Sequence, residues 1–149
     1  MPSTSIKKQI PCSKEQLIKM VLDIEKYPEF VPWCIKGKIY SKKDKGNKIE
    51  IIADLTIGKN FFKETYKSFI IYDKILDLIL VNNIDGPLKY LENRWLFKEV
   101  RNNSEVNFHV SFELKNKVLN LILATSFDFA IKRIADAFEK RAIKLFKKT

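Results

Sequence analysis

The chain has 149 residues, of which 46% are hydrophobic and 12% aromatic, and it carries a formal net charge of +10 at pH 7. A chain of this length can bury roughly 70% of the surface that it exposes when unfolded, so one packed core is expected. The high apolar content excludes an intrinsically disordered chain. Because no Gly/Ser-rich linker, low-complexity run or internal repeat divides the sequence, we predict one domain over residues 1–149.

No secretory signal or membrane-spanning segment is predicted. The start of the chain, MPSTSIKKQ, lacks an apolar run after a basic beginning. The most apolar later stretch, residues 118–131, contains Asn120 and Asp128 and is shorter than the ~20 residues that a membrane span needs. Cys12 and Cys34 are too few for a disulfide scaffold and lack the spacing of a metal site. We therefore expect a reduced, cytoplasmic protein without a metal site.

Lysine carries most of the excess positive charge. Of the 28 basic residues only Arg94, Arg101, Arg133 and Arg141 are arginine, whereas surfaces that read phosphate usually rely on the bidentate arginine side chain. Lysine is abundant together with isoleucine and asparagine, as expected from an AT-rich coding sequence. The positive charge can therefore come from compositional drift or from a basic face that was selected for function. In either case it would speed association with RNA or anionic lipid.

The first elements in the chain are a strand and a capped helix. Residues 5–10 can form a strand with Ile6 and Ile10 on one face. Residues 13–16, SKEQ, have capping-box spacing and predict the start of a helix. The buried stripe of that helix is expected to contain Leu17, Val21 and Ile24.

Residues 23–34, DIEKYPEFVPWC, cannot form a regular helix, because each proline removes a backbone donor and restricts the residue before it. Tyr27, Phe30 and Trp33 would expose large apolar surfaces in a solvated loop. We expect an irregular, aromatic-rich element that lies against the body of the domain. It can serve either as a plug at one end of the core or as part of a ligand site.

Six strands are predicted next, and they form an antiparallel meander because no helix separates them. Short turns are expected at residues 73–74 and 101–104. In the last strand Val106 and Phe108 point to one face and His109 to the other. The predicted strands cover residues 35–41, 48–57, 61–72, 75–81, 90–100 and 105–114.

The chain is predicted to end in one long helix, from residue 116 or 119 to residue 146. At ~1.5 Å per residue it would be roughly 40 Å long, enough to cross a sheet. An α+β architecture follows, with a strongly curved antiparallel sheet wrapped around the helix and a cavity between them. The apolar stripe that predicts this helix consists of Leu119, Leu123, Phe127, Ala130, Ile134, Phe138, Ala142 and Leu145.

The sequence lacks a recognisable catalytic constellation. His109 is the only histidine, so a histidine triad or a multi-histidine metal site is excluded. The four glycines are scattered singly and form no phosphate-binding loop. Asp23 and Glu25 lie at the end of a helix and are expected to be solvated or to cap a neighbour rather than to form an acid/base pair. No base is visible that could activate either cysteine. The chain is therefore predicted to bind rather than to catalyse.

Residues 86–97, GPLKYLENRWLF, place Leu91, Asn93, Trp95 and Phe97 on one face of a strand. An amide among large apolar side chains costs free energy unless it forms hydrogen bonds. Asn93 is therefore either tied to a backbone group or available to the polar head of a ligand.

Three segments now carry a family resemblance: VLDIEKYPEFVPWC at residues 21–34, GPLKYLENRWLF at residues 86–97 and AFEKRA at residues 137–142. With these segments in this order, the chain resembles the coenzyme Q-binding START-like family, in the polyketide cyclase and lipid transport superfamily. The resemblance covers nearly the full length. It implies a helix-grip fold, in which about seven strands wrap around a long C-terminal helix and two short helices follow the first strand.

The resemblance implies a non-catalytic carrier, because eukaryotic members look like lipid chaperones that bind ubiquinone and support respiration. An isoprenoid quinone or a related lipid would be the ligand, and no further cofactor would be required. It would lie between the terminal helix and the sheet. The residues expected to contact it are Trp95, Phe97, Phe127, Ile131 and Ile134 in the cavity, Phe30 and Trp33 at the entrance, and Asn93 at a polar group.

Bacterial members described as ribosome association toxins imply a second function, in which the chain binds a ribosomal subunit and blocks subunit association. An antitoxin partner cannot be named. The same basic side chains would suit an anionic membrane, which would place the protein peripherally at the inner membrane. A polyketide cyclase-like enzyme is a third possibility. We favour lipid binding. The candidate contacts for RNA or an anionic membrane are Lys132, Arg133, Lys140, Arg141, Lys144, Lys147 and Lys148.

Overall fold

The computed structural model describes residues 3–59, 62–85 and 88–146. Within these ranges one strand and two short helices are followed by six strands and two further helices. The elements are β1 (Ser3–Ile10), α1 (Lys14–Leu22), the 3₁₀ helix η1 (Ile24–Glu29), β2 (Cys34–Asp44), β3 (Lys48–Lys59), β4 (Phe62–Asp73), β5 (Leu78–Asp85), β6 (Leu88–Val100), β7 (Asn103–Leu114), α2 (Lys117–Ala124) and α3 (Phe127–Phe146).

The seven strands form one antiparallel sheet in the order β1-β7-β6-β5-β4-β3-β2. Strands β2 to β7 are neighbours in sequence order, and each is antiparallel to the next, as in a meander. β1 pairs with the remaining edge of β7, where Ile6 lies opposite Phe108. Helix α3 buries Phe127, Ile131 and Phe138 against the concave face. The predicted α+β class and antiparallel meander are confirmed.

Helix α1 begins where the sequence predicts. The Ser13 hydroxyl accepts a hydrogen bond from the Gln16 backbone nitrogen at 3.2 Å, and the Gln16 side chain accepts one from the Ser13 nitrogen at 3.1 Å. This reciprocal pair satisfies two backbone donors at the helix start. Leu17 and Val21 are buried in the core, as their spacing predicts.

The proline-aromatic segment forms η1 and an irregular stretch that packs beneath α3. The rings of Tyr27 and Phe30 meet the Phe138 ring edge-on, at centroid distances of 5.3 and 5.0 Å. Gly37 of β2 permits a close approach on the other side of η1, because a Cβ there would lie 2.4 Å from the Ile24 carbonyl oxygen. The segment is therefore held between the sheet and α3.

Strand β5 begins three residues later than the sequence predicts. Residues 74–77 form a turn, where the apolar run predicts a two-residue turn and then a strand. The Asp73 carboxylate accepts hydrogen bonds from the backbone nitrogens of Ile75 and Leu76, each at 3.0 Å, and this bends the chain out of the sheet. Ile75 and Leu76 are consequently exposed, and β5 starts at Leu78.

The prediction of a single C-terminal helix is wrong, because α2 and α3 meet at a turn formed by Thr125 and Ser126. Their hydroxyl groups compete for backbone hydrogen bonds, which makes both residue types poor in a helix interior and good at its start. The Ser126 carbonyl accepts the first bond of α3, from the Ala130 nitrogen at 3.0 Å. Asp128 adds a negative charge at the positive end of the α3 dipole.

Beyond this break the apolar stripe of α3 faces the sheet over most of its length. Leu145 is exposed and does not belong to it, contrary to prediction, and the side chains of Leu119 and Leu123 lie outside the described residues. No helix in the described parts of the chain combines the length and the apolar character needed to cross a membrane. The stripe residues that are buried or half-buried are Phe127, Ala130, Ile134, Phe138 and Ala142.

Trp95 of β6 is the centre of the aromatic core. Its ring centroid lies 4.2 Å from that of Phe108 and 4.9 Å from that of Phe138, and it stacks nearly parallel to Phe97 at 6.4 Å. These contacts join two strands to α3. Trp95 is only 7% exposed.

We predict that Trp95→Ala lowers the free energy of unfolding by about 3 kcal/mol, the lower end of the range for deleting a large core aromatic. The lower end is expected because Trp95 already borders open space on one side. Chemical denaturation measures the change, and Leu96→Ala, on the exposed face of the same strand, should stay within about 0.5 kcal/mol of native. A loss under about 1 kcal/mol for Trp95→Ala would contradict the assigned packing.

Candidate functional site

A cavity of about 310 Å³ lies between α3 and the concave face of the sheet. This volume is at the lower end of the range for small-molecule sites. The strands supply alternate residues to its wall, because successive side chains of a strand point to opposite faces. The main strand residues in the wall are Ala53, Leu55, Ile57, Tyr66, Ser68, Ile70, Ile79, Val81, Leu91, Asn93, Trp95, Phe108, Val110 and Phe112.

The opposite wall comes from α3 and from the segment that precedes β2. Phe127, Ile131 and Phe138 are buried in this wall. Ala130 and Ile134 are half-buried and flank them. The segment contributes residues 31–33, and Cys34 at the start of β2 continues this wall. The wall is therefore almost entirely carbon, which favours an apolar ligand.

The mouth of the cavity lies between the start of β4 and the start of α3. Glu64 and Ser126 are the only wall residues described as exposed to solvent. Trp33 lies near this opening with a left-handed φ of 65°, and the Arg133 guanidinium sits 5.3 Å from its ring centroid. The far end is closed by the aromatic cluster around Phe138.

Two polar atoms in the wall have no hydrogen-bond partner among the described residues: Oδ1 of Asn93 and Oγ of Ser68. Asn93 pairs with Val81 across the sheet, and Val81 pairs with Ile70, two residues beyond Ser68. The two polar groups therefore sit on strands separated by β5, with their backbones about 10 Å apart across the strands. Each unpartnered buried group costs free energy that a bound polar group would recover.

Asn83, by contrast, has an amide side chain that is hydrogen-bonded to the backbone at both ends. Its side chain donates to the Leu88 carbonyl at 3.2 Å and accepts from the Leu91 nitrogen at 3.0 Å. Asn93 makes no such bond within the described residues. The sequence left two interpretations of Asn93, a hydrogen bond to the backbone or contact with the polar head of a ligand. The hydrogen bond to the backbone is not observed among the described residues.

The tyrosine hydroxyls and the cysteine thiol of the wall are neutral at physiological pH. Burial raises the pKa of the Tyr66 hydroxyl well above its usual range, and it does the same to Tyr27, whose hydroxyl donates to the Val21 carbonyl. Burial also raises the pKa of the Cys34 thiol to about 11. The thiol is therefore protonated and a poor nucleophile.

Six of the eight residues predicted to contact a ligand lie in the cavity wall: Trp33, Asn93, Trp95, Phe127, Ile131 and Ile134. Phe97 does not, because it is buried behind Trp95. Phe30 packs on Phe138 and faces a separate groove. Sequence reasoning missed Tyr66 and Ser68, although the alternation of Tyr66, Ser68 and Ile70 in β4 could have shown that they share the apolar face.

The separate groove that Phe30 faces is basic, lies between η1 and α3 and has a volume of about 400 Å³. Arg141 anchors it, since its Nη2 donates to the Glu29 carboxylate at 2.7 Å and its guanidinium lies 5.0 Å from the Phe30 ring centroid. The hydrogen bond from Arg141 holds the pKa of Glu29 below its usual range. The groove is lined by Glu29, Phe30, Pro32, Arg133, Asp136, Ala137, Lys140, Arg141 and Lys144.

The groove brings together four of the seven basic residues singled out in the sequence. Arg133, Lys140, Arg141 and Lys144 line it, against the two carboxylates of Glu29 and Asp136. The Nε atom of Arg141 is buried without a partner among the described residues. Lys132 is exposed outside the groove, and Lys147 and Lys148 lie outside the described residues.

The described residues bring no catalytic group of a familiar type into the cavity. His109 lies on the outer face of the sheet, as predicted, where its Nδ1 is 2.6 Å from the Ser5 hydroxyl. Within the described ranges no three histidine, cysteine or acidic residues are grouped to hold a metal ion. Among the described residues of the wall Glu64 is the one carboxylate, and it stands at the mouth.

Comparison with known proteins gives a consistent result. Residues 10–139 match the family model described as "Polyketide cyclase / dehydrase and lipid transport". The Ribosome association toxin RatA of Rickettsia prowazekii is 32% identical over 143 residues, covering 94% of this chain and 95% of the relative. The mitochondrial Coenzyme Q-binding protein COQ10 homolog B of Xenopus laevis is 31% identical over 141 residues, covering 90% of this chain and 55% of the relative.

A solved structure shares both the fold and part of the sequence. The 18 kDa protein CC1736 from Caulobacter crescentus superposes with a TM-score of 0.79 at 30% identity, covering 97% of this chain and 98% of that protein. The match thus covers nearly the whole of both chains. The chain therefore belongs to the polyketide cyclase/dehydrase and lipid transport family and has its START-like fold, as the three sequence segments indicated.

Proposed function

We propose that the protein binds a hydrophobic isoprenoid such as ubiquinone without transforming it. The observation that carries this proposal is the cavity, whose wall is apolar except for a few polar groups, among them the unpartnered atoms of Asn93 and Ser68. An apolar wall favours a prenyl chain, because burial of apolar surface contributes about 25 cal/mol per Å². The two polar atoms favour a head group that forms hydrogen bonds.

The same wall argues for carriage rather than catalysis. The Cys34 thiol is protonated, the tyrosine hydroxyls are neutral, and Glu64 is at the mouth rather than beside the polar pair. A general acid or base must lie within hydrogen-bond reach of the proton that it moves. The name of the COQ10 relative, which binds coenzyme Q, supports this ligand class.

We predict that ubiquinone with a short prenyl tail binds with one-to-one stoichiometry and is recovered unchanged. Ile134→Lys should weaken binding by about 100-fold or more, because it places a charge in the apolar wall. Calorimetric titration and mass spectrometry of the recovered ligand measure both points. Leu145→Lys, an exposed position on the same helix, is the matched control and should bind like native. A chemically altered product would favour an enzyme.

We predict opposite effects of Asn93→Leu on stability and on binding. The free energy of unfolding should rise by about 1 kcal/mol, because an unpartnered buried amide is replaced by an apolar side chain of similar size. Ligand affinity should fall. Denaturation with and without ligand measures both effects, and Asn82→Leu, on the other face of neighbouring β5, is the control. A clear loss of stability in Asn93→Leu would show that the amide serves the fold.

Ribosome binding is a second candidate function, and the basic groove is the observation that favours it. Four cationic side chains line the groove together with Phe30, and the guanidinium of one of them, Arg141, lies over the Phe30 ring. Phosphate groups pair well with such cations, and an aromatic ring can stack on a base. The name of the RatA relative, which refers to ribosome association, points the same way. Lysine enrichment across the whole chain places this candidate second.

We predict that any binding to ribosomal subunits is weak and falls steeply with salt, because neutralised phosphates release counterions. Lys140→Glu/Lys144→Glu should remove it and leave ubiquinone binding unchanged. Lys42→Glu/Lys43→Glu reverses two exposed charges on β2 and is the matched control. Co-sedimentation measures the effect. Tight binding to one subunit at physiological salt, lost in the groove variant and kept in the control, would make the ribosome the primary partner.

A further inference from the structure

Helix α2 exposes apolar side chains that the fold does not cover. Every residue of α2 except Lys117 and Asn120 is apolar, yet Val118 is 67% and Leu121 71% exposed. Phe129, in the first turn of α3, is 65% exposed. We call Val118, Leu121 and Phe129 the mouth patch. A short helix that is apolar on its outer side normally has an apolar neighbour, so its exposure in water points to a docking role.

The mouth patch adjoins the opening of the cavity. Helix α2 connects Leu114 to Phe127, and both of these residues line the cavity. Ser126, in the turn after α2, forms the rim itself. Val118 and Leu121 are three positions apart, so they share one face of α2. A surface that covered the mouth patch would therefore meet the cavity opening.

Positive charge surrounds the mouth patch. Lys115 and Lys117 flank the start of α2, and both are exposed. Lys132 and Arg133 follow Phe129 by three and four positions, so they lie on its side of α3 and are exposed as well. Among the described residues, two carboxylates lie near these four cations: Asp128, which accepts a hydrogen bond from the Thr4 hydroxyl, and Glu64 at the cavity mouth, so the cations remain in excess. Apolar side chains bordered by cations complement a bilayer surface that carries anionic head groups.

We propose that the mouth patch inserts into the interface of an anionic lipid bilayer and that the surrounding cations contact the lipid phosphates. The cavity opening then faces the acyl chains, and an isoprenoid ligand enters or leaves without crossing water. The route of the ligand rests on the proposed function, whereas the docking itself does not.

A second exposed apolar pair provides a comparison within the same chain. Ile75 is 70% and Leu76 60% exposed in the turn before β5, at the end of the sheet away from the mouth. The charges around this pair are mixed, because Lys74 pairs with Asp44 at 3.1 Å and Asp77 pairs with Lys14 at 3.0 Å. Ile75 and Leu76 therefore provide a control in which apolar side chains are exposed without a surplus of cations around them.

Vesicle sedimentation tests the proposal with native protein, Leu121→Glu/Phe129→Glu and Ile75→Glu/Leu76→Glu. Both variants add two negative charges at exposed sites, so they are matched in net charge. Native protein should bind vesicles of phosphatidylcholine with phosphatidylglycerol more tightly than phosphatidylcholine alone. The mouth variant should lose about tenfold or more in partitioning, since two apolar anchors are removed. The control variant should lose little, and thermal melting should show that both variants are folded.

Several outcomes would overturn the proposal. Equal losses of vesicle binding in the two variants would show that net charge alone causes the binding. Complete loss of native binding at high salt would show the same. Absence of binding to anionic vesicles would reject it outright. Loss of ribosomal RNA binding in the mouth variant, with vesicle binding intact, would assign the surface to RNA.

Ubiquinone binding in detergent should be unchanged in the mouth variant. Failure of the native protein to bind ubiquinone, with vesicle docking intact, would contradict the proposed function alone.

Insertion can also be observed directly at position 129. Phe129→Trp places a reporter in the mouth patch, and its emission should shift to shorter wavelength on addition of anionic vesicles. Lipids with brominated acyl chains should quench it. The unsubstituted protein supplies the background of Trp33 and Trp95. Emission from the added tryptophan that stays at the solvent-exposed wavelength would contradict insertion.

Discussion

The position of α3 over the sheet depends on the ring of Phe138. Tyr27, Phe30 and Trp95 meet this ring edge-on, with centroids 4.9 to 5.3 Å away, and they come from η1, the chain just after it and β6. Because edge-to-face contacts have a preferred geometry, the cluster fixes both the height and the rotation of the helix. It fills the space between helix and sheet at one end only. The cavity is the part of that space that the cluster leaves open.

An open cavity in the core lowers the stability of the empty protein, because the side chains around it lack contacts on one side. The unpartnered atoms of Ser68 and Asn93 add to that cost. A ligand that fills the space recovers both terms in the folded state only, so the protein should be most stable when loaded. Stability and binding are thus opposed at these two positions.

The sequence predicts the elements that arise from local spacing and misses those that depend on one side chain or on a distant contact. Strand alternation and the capping box at Ser13 identified most elements, whereas the Asp73 carboxylate moved the start of β5. Of the two residues predicted at the entrance, Trp33 lines the cavity and Phe30 lines the separate groove. Trp33 has a left-handed backbone, which no spacing rule reveals, and the direction of the side chains in this irregular stretch therefore could not be read from the sequence.

The break at Thr125 and Ser126 has a further consequence for local unfolding. It interrupts the ladder of backbone hydrogen bonds, so α2 can open without unwinding α3. A helix of eight residues is not stable in water by itself, and α2 gains little from its exposed Val118 and Leu121. Its amide protons should therefore exchange with solvent through small openings, while those of α3 around Phe138 exchange only when the whole core unfolds.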